Sequence, residues 1–191
     1  MNEQMPSTPI ADRWGMVVDR QPIESNPENY AVVKPDLLVP LEVRGFVTWA
    51  AHPEVKFEAR LRWGKKFSYI LEFVSITSSE GISTSDMHSY SIPKLIAGMA
   101  TGTVLLPLPG GEEESYVHLE QLLGLADLEA MRERIHEEGP VTNSLLWVGR
   151  LYAYGRAVGE NPNVLVMSVL DLPQRTATRW ISRARTEGLL D

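Results

Sequence analysis

Every second residue between Val55 and Trp63 is apolar, and this alternation is the tightest constraint on the fold. Val55, Phe57, Ala59, Leu61 and Trp63 fall on one side of an extended chain, and Lys56, Glu58, Arg60 and Arg62 on the other. Side chains of a strand alternate between faces, so the segment is a strand with one buried and one solvated face. Half-solvated strands belong to antiparallel sheets. Gly64-Lys65-Lys66 signals a turn, and residues 67–77 resume β character with Phe67, Tyr69, Leu71 and Phe73 on one face. That is a hairpin with a three-residue connection. Upstream, Leu41, Val43, Gly45, Val47 and Trp49 alternate with Glu42, Arg44, Phe46 and Thr48. Strands at 41–49, 55–63 and 67–77 therefore predict an antiparallel meander. Trp63-Gly64-Lys65-Lys66-Phe67 is also a basic tip between aromatics. Trp49, Trp63 and Phe67 suit a sheet core better than a base-stacking platform.

The flanks carry weaker signals. Residues 1–29 are rich in Pro, Asn, Ser and charge and are expected to be partly disordered, with only 14–18 able to order as an edge strand. Residues 80–86 read as a turn followed by helix-capping residues, and Pro93 suits the first position of a short helix to residue 100. A weak strand is expected at 103–106, then a loop at 107–115 with breakers and the acids Glu112, Glu113 and Glu114. Asp127 is placed to cap an amphipathic helix with Leu128, Met131 and Ile135 on one face, stopped by Gly139-Pro140.

Charge changes sign at that stop. The chain of 191 residues has net charge −7; residues 1–139 carry −9 and residues 140–191 carry +2. The six cations of the second part are all Arg, the side chain suited to bidentate phosphate and guanine recognition. The expected units are a segment at 1–29, a β-rich domain with short helices at 30–139, and a helical domain at 140–191. There are no cysteines, which excludes disulfides, thiolate metal sites and a cysteine nucleophile. The first residues lack the basic and apolar regions of a signal peptide, and no apolar run approaches the roughly 18 residues of a membrane span. A cytoplasmic location without membrane partners is the expectation.

Helices are expected at 144–158, at 164–170 and from 173 to about 187. Gly188 stops the last one, and Leu189-Leu190 fold back on it. In that last helix Ala177, Trp180, Ile181, Ala184 and Gly188 form one apolar stripe. Arg175, Arg179 and Arg183 lie at i, i+4 and i+8 on another face, with Gln174, Thr178 and Arg185 near it. A short helix, a tight turn and a helix with one greasy and one cationic face have the layout of a helix-turn-helix.

Residues 162–190 resemble the helix-turn-helix of many small, poorly characterised proteins of high-GC bacteria and their mobile elements. The resemblance rests on Pro162, Val166, Leu172, Thr176, Ala177, Trp180, Ile181, Ala184, Arg185, Gly188, Leu189 and Leu190. Residues 81–93 resemble, more loosely, a segment of those proteins' β-rich halves. Met167 stands where the family usually has Ala, and Asp171 where it has Gly. The resemblance implies an α+β chain, an antiparallel β-sheet domain followed by a helix-turn-helix domain. It implies a DNA-binding transcriptional regulator with no cofactor. Gln174, Arg175, Thr178 and Arg179 are then the expected base-edge readers, and Arg183 and Arg185 the phosphate contacts. A homodimer on double-stranded DNA is expected, since a monomer so acidic elsewhere binds weakly. The alternative is a phage or mobile-element interaction module, in which the acidic β-rich half binds a protein partner.

Enzymatic constellations do not assemble. His52, His88, His118 and His136 lack ligand spacing and read as surface or capping residues. Ser83-Thr84-Ser85-Asp86 has no nucleophile-elbow glycines and reads as a cap. No Gly-Lys-Ser or Gly-Lys-Thr follows the glycines.

Overall fold

The computed structural model describes residues 15–21, 26–107, 116–119, 121, 123 and 128–190. The strand with the clearest alternation is β5 (His52–Gly64). It lies between β4 (Glu42–Trp49) and β6 (Ser68–Ser78), and β1 (Met16–Arg20) closes the far side of β4 as an edge strand. All pairings in this four-stranded sheet are antiparallel. Val55, Phe57, Ala59 and Leu61 are buried, as the alternation requires. The Glu112–Glu114 loop, Asp127 and most of the first 29 residues lie outside the described residues.

One face assignment is corrected. Leu61 pairs with Leu71 and Arg60 with Phe73, which leaves Glu72 as an extra residue on β6. A bulge of this kind shifts the side-chain alternation by one. The inward side passes from Tyr69 and Leu71 to Val74 and Ile76, and Phe73 turns outward, 41% exposed.

A second antiparallel sheet follows the order β2 (Tyr30–Val33), β3 (Leu37–Pro40), β7 (Leu105–Pro107), β8 (Tyr116–His118). The weak strand expected at 103–106 is β7; β2 and β8 carried no sequence signal, because three or four residues cannot establish a period. The Tyr69 hydroxyl donates to Pro40 O at 2.9 Å, tying the two sheets, and burial pushes its pKa above the usual value.

Two short helices connect β6 to β7. α1 (Thr84–Ser89) starts at a capping box, with Ser83 and Asp86 bonded reciprocally. Those donors hold the Asp86 carboxyl below its ordinary pKa. α2 (Ile92–Ala100) lies on the first sheet with Leu95 and Met99 fully buried. Arg20 of β1 caps its C-terminus, donating to Met99 O at 2.9 Å, to Gly98 O at 2.8 Å and to Thr101 O.

The chain ends in helices α3 (Leu128–Glu138), α4 (Thr142–Ala157), α5 (Pro162–Leu170) and α6 (Gln174–Thr186). Two apolar cores result. One fills the sheets and α2; the other joins Met131 and Ile135 of α3 to α4, α5 and α6. α4 belongs to both. Its Leu145, Val148 and Leu151 face the helices, while Ala153, Tyr154, Ala157 and Val158 after its end enter the sheet core. Core membership thus crosses the boundary expected at residue 139. Among the described residues no helix is long and apolar enough to cross a membrane.

Candidate functional site

α6 is built to present a face. Ala177, Trp180, Ile181 and Ala184 are buried at helical spacing against α4 and α5. Gln174, Arg175, Thr178, Arg179, Arg183 and Arg185 are all exposed. The helix ends at Gly188, with φ +76. Leu189 N donates to Ala184 O and Gly188 N to Arg185 O, the paired bonds of a Schellman end. Leu190 is buried by that fold-back.

The turn before α6 is tight. Asp171 closes α5 in the left-handed region, φ 50 and ψ 45, and Leu172 N donates to Met167 O at 3.0 Å. Leu172 is buried and Pro173 opens α6. Met167 is half-buried against the helical core. Close approach occurs elsewhere: a Cβ on Gly155 of α4 would lie 2.9 Å from Pro162 Cα, so only glycine lets α5 start so near α4.

The candidate side chains differ in freedom. Among the described residues Arg175 and Arg179 have no ion pair and no side-chain hydrogen bond. Thr178 donates its hydroxyl back to Gln174 O at 2.9 Å, leaving oxygen lone pairs toward solvent. Arg183 is engaged by Glu187 at 2.8 Å. Arg185 leans on α4, with Nη2 3.4 Å from the Tyr152 hydroxyl and its guanidinium 5.8 Å from that ring. The four arginines therefore divide into an unpaired pair near the helix start and a held pair near its end.

The polar framework behind this face was not legible. Arg132 of α3 donates to Val169 O at 2.8 Å and Ser168 O at 3.1 Å, and His136 Nε2 lies 3.0 Å from Leu170 O. These carbonyls end α5 and lack helical partners, so α3 caps α5 with cationic and imidazole donors. His136 is thus a capping residue. His52 stands beside Glu54, and His118 Nδ1 is buried without a hydrogen-bond partner among the described residues. No group of three or more His, Asp or Glu positioned for a metal occurs among the described residues. No family model, curated protein or solved structure matches the chain.

Proposed function

We propose that the chain binds double-stranded DNA through a helix-turn-helix made of α5 and α6, and that it acts as a dimeric transcriptional regulator. The observation that carries this is the exposed start of α6. Arg175 and Arg179 stand one turn apart there, free of acids among the described residues. An unpaired Arg at this place can meet the O6 and N7 of guanine in the major groove. Gln174 and Thr178 flank it with amide and hydroxyl groups. Among the described residues Arg183 is held only by an exposed i,i+4 pair, a contact weak enough to be exchanged for phosphate. Arg185 adds a second cation on the same helix.

A protein of net charge −7 gains little from one such face, so two copies on two half-sites about one helical turn apart fit the charge better. The test is a mobility shift of the full-length protein on random duplex at low salt, then selection of bound sequences. Arg179→Ala should weaken the selected site by about 5- to 150-fold and relax preference at one base pair, a bidentate contact being worth roughly 1–3 kcal/mol. Equal, small effects on every duplex would sink the assignment.

One observation favours an interaction protein instead. The outer face of the first sheet shows Ile70 and Phe73 at 46% and 41% exposure. Around them lie Arg60 and Arg62, paired with Glu72, and Lys56, stacked on Phe46. Absence of any shift by the native protein would move the assignment to this face.

A further inference from the structure

The tip of the β5–β6 hairpin carries Lys65 and Lys66 into solvent. The structure gives this tip neighbours. Arg156 of α4 donates Nη2 to Lys66 O at 2.7 Å and stands 5.0 Å over the Phe67 ring, pinning the tip to the helix. One turn earlier on α4 is Tyr152, the residue that holds Arg185. Lys34 and Leu190 close the crevice between Phe67, Tyr152 and Arg156. Four cations therefore gather along this edge of the molecule: Arg185 beside Tyr152, Arg156 one turn on, and Lys66 and Lys65 at the tip that Arg156 holds.

Acids do not neutralise the tip. Lys65 and Lys66 have no ion pair among the described residues. On the outer face of the first sheet the opposite holds: Arg44, Arg60 and Arg62 all pair with Glu42 or Glu72. Two lysines without an ion pair among the described residues, Lys65 and Lys66, concentrate positive potential on an acidic protein where an anion can use it.

We propose that this surface binds the sugar–phosphate backbone of a DNA duplex, beside the groove entered by α6. The proposal rests on the α6 reading above and extends it to a second element. The distances fit. Ten residues separate Arg175 from Arg185, about 15 Å of helix, against a major groove about 12 Å wide. With the start of α6 in the groove, its end reaches the flanking phosphates, and Arg185 there touches Tyr152, one turn before the Arg156 that holds the tip. Lysines on a hairpin tip are compact point charges without a fixed fork, so they contribute affinity and not sequence preference.

The experiment is an anisotropy titration of the full-length protein on a random duplex and on the selected duplex, repeated across salt. Lys65→Ala/Lys66→Ala should weaken both duplexes alike and flatten the log–log salt slope by about two units. Lys65→Arg/Lys66→Arg should keep the native slope. Arg175→Ala/Arg179→Ala should abolish the preference for the selected site. An unchanged slope in the tip variant, with preference lost in the α6 variant, overturns this inference and leaves the α6 reading standing. A flattened slope in the tip variant, with native preference in the α6 variant, supports the tip and removes the α6 reading. No binding by the native protein overturns both.

Discussion

Asp171 concentrates two costs in one side chain. Its φ of 50 places an L-residue in the left-handed region, which costs about 1–2 kcal/mol for an ordinary side chain and less for Asp or Asn. Its carboxylate also sits in the turn that leads into α6, a few residues from Arg175. Asp171→Gly should remove both, stabilising the fold by about 0.5–1 kcal/mol and tightening duplex binding. Asp171→Asn should remove the charge alone, so it tightens binding while the melting temperature stays closer to native. If neither variant alters duplex affinity, Asp171 faces away from the partner. At this scale the sequence is informative about local geometry. The αL position was marked by a residue where the resembling family has Gly, and the Arg183–Glu187 pair follows from i,i+4 spacing. The link from Arg185 to Tyr152 spans 33 residues, and no periodicity reports it.

Among the elements, α3 decides how firmly the α5–turn–α6 unit is held. Its Arg132 reaches two carbonyls at the end of α5, 36 and 37 residues away. Without it those acceptors are left to solvent, and the turn at Asp171 loses its support. Arg132→Ala should destabilise the protein by about 1–2 kcal/mol, read as a lower urea midpoint with an unchanged slope. Duplex affinity should fall together with that midpoint, whereas Arg179→Ala should change affinity alone. An unshifted midpoint would show that solvent serves these carbonyls as well as Arg132 does. The elements themselves divide by length. β4, β5 and β6 run for 8, 13 and 11 residues, long enough for alternation to declare them. β2 and β8 run for four and three, too short for a period to show. The bulge at Glu72 is hidden for a related reason: an extra residue is visible only against the partner strand, so alternation alone puts Phe73 on the inward face.

Over the whole molecule, charge and packing part at different places. Net charge changes sign near residue 139, but α3 lies before that point and supplies Met131 and Ile135 to the helical core and Arg132 and His136 as caps on α5. In the other direction, Ala153, Tyr154, Ala157 and Val158 of the cationic segment are buried in the sheet core. A fragment of residues 140–191 would leave the first group behind and expose the second. A core in such a fragment, below about 70–80 residues, rarely supplies more than about 3–5 kcal/mol. Truncating one buried Met or Ile costs about 2–5 kcal/mol, so the loss of both equals or exceeds all the stability available. The fragment 140–191 should therefore melt without a cooperative transition in circular dichroism and shift no duplex, while the full-length protein unfolds cooperatively. A fragment of residues 128–191 should recover part of the helical signal, because α3 returns with its caps, yet stay less stable than the whole because Tyr154 and Val158 remain uncovered. A sharp, reversible transition for 140–191 alone would mean that α4 needs neither neighbour, and the shared core would then be packing without energetic consequence.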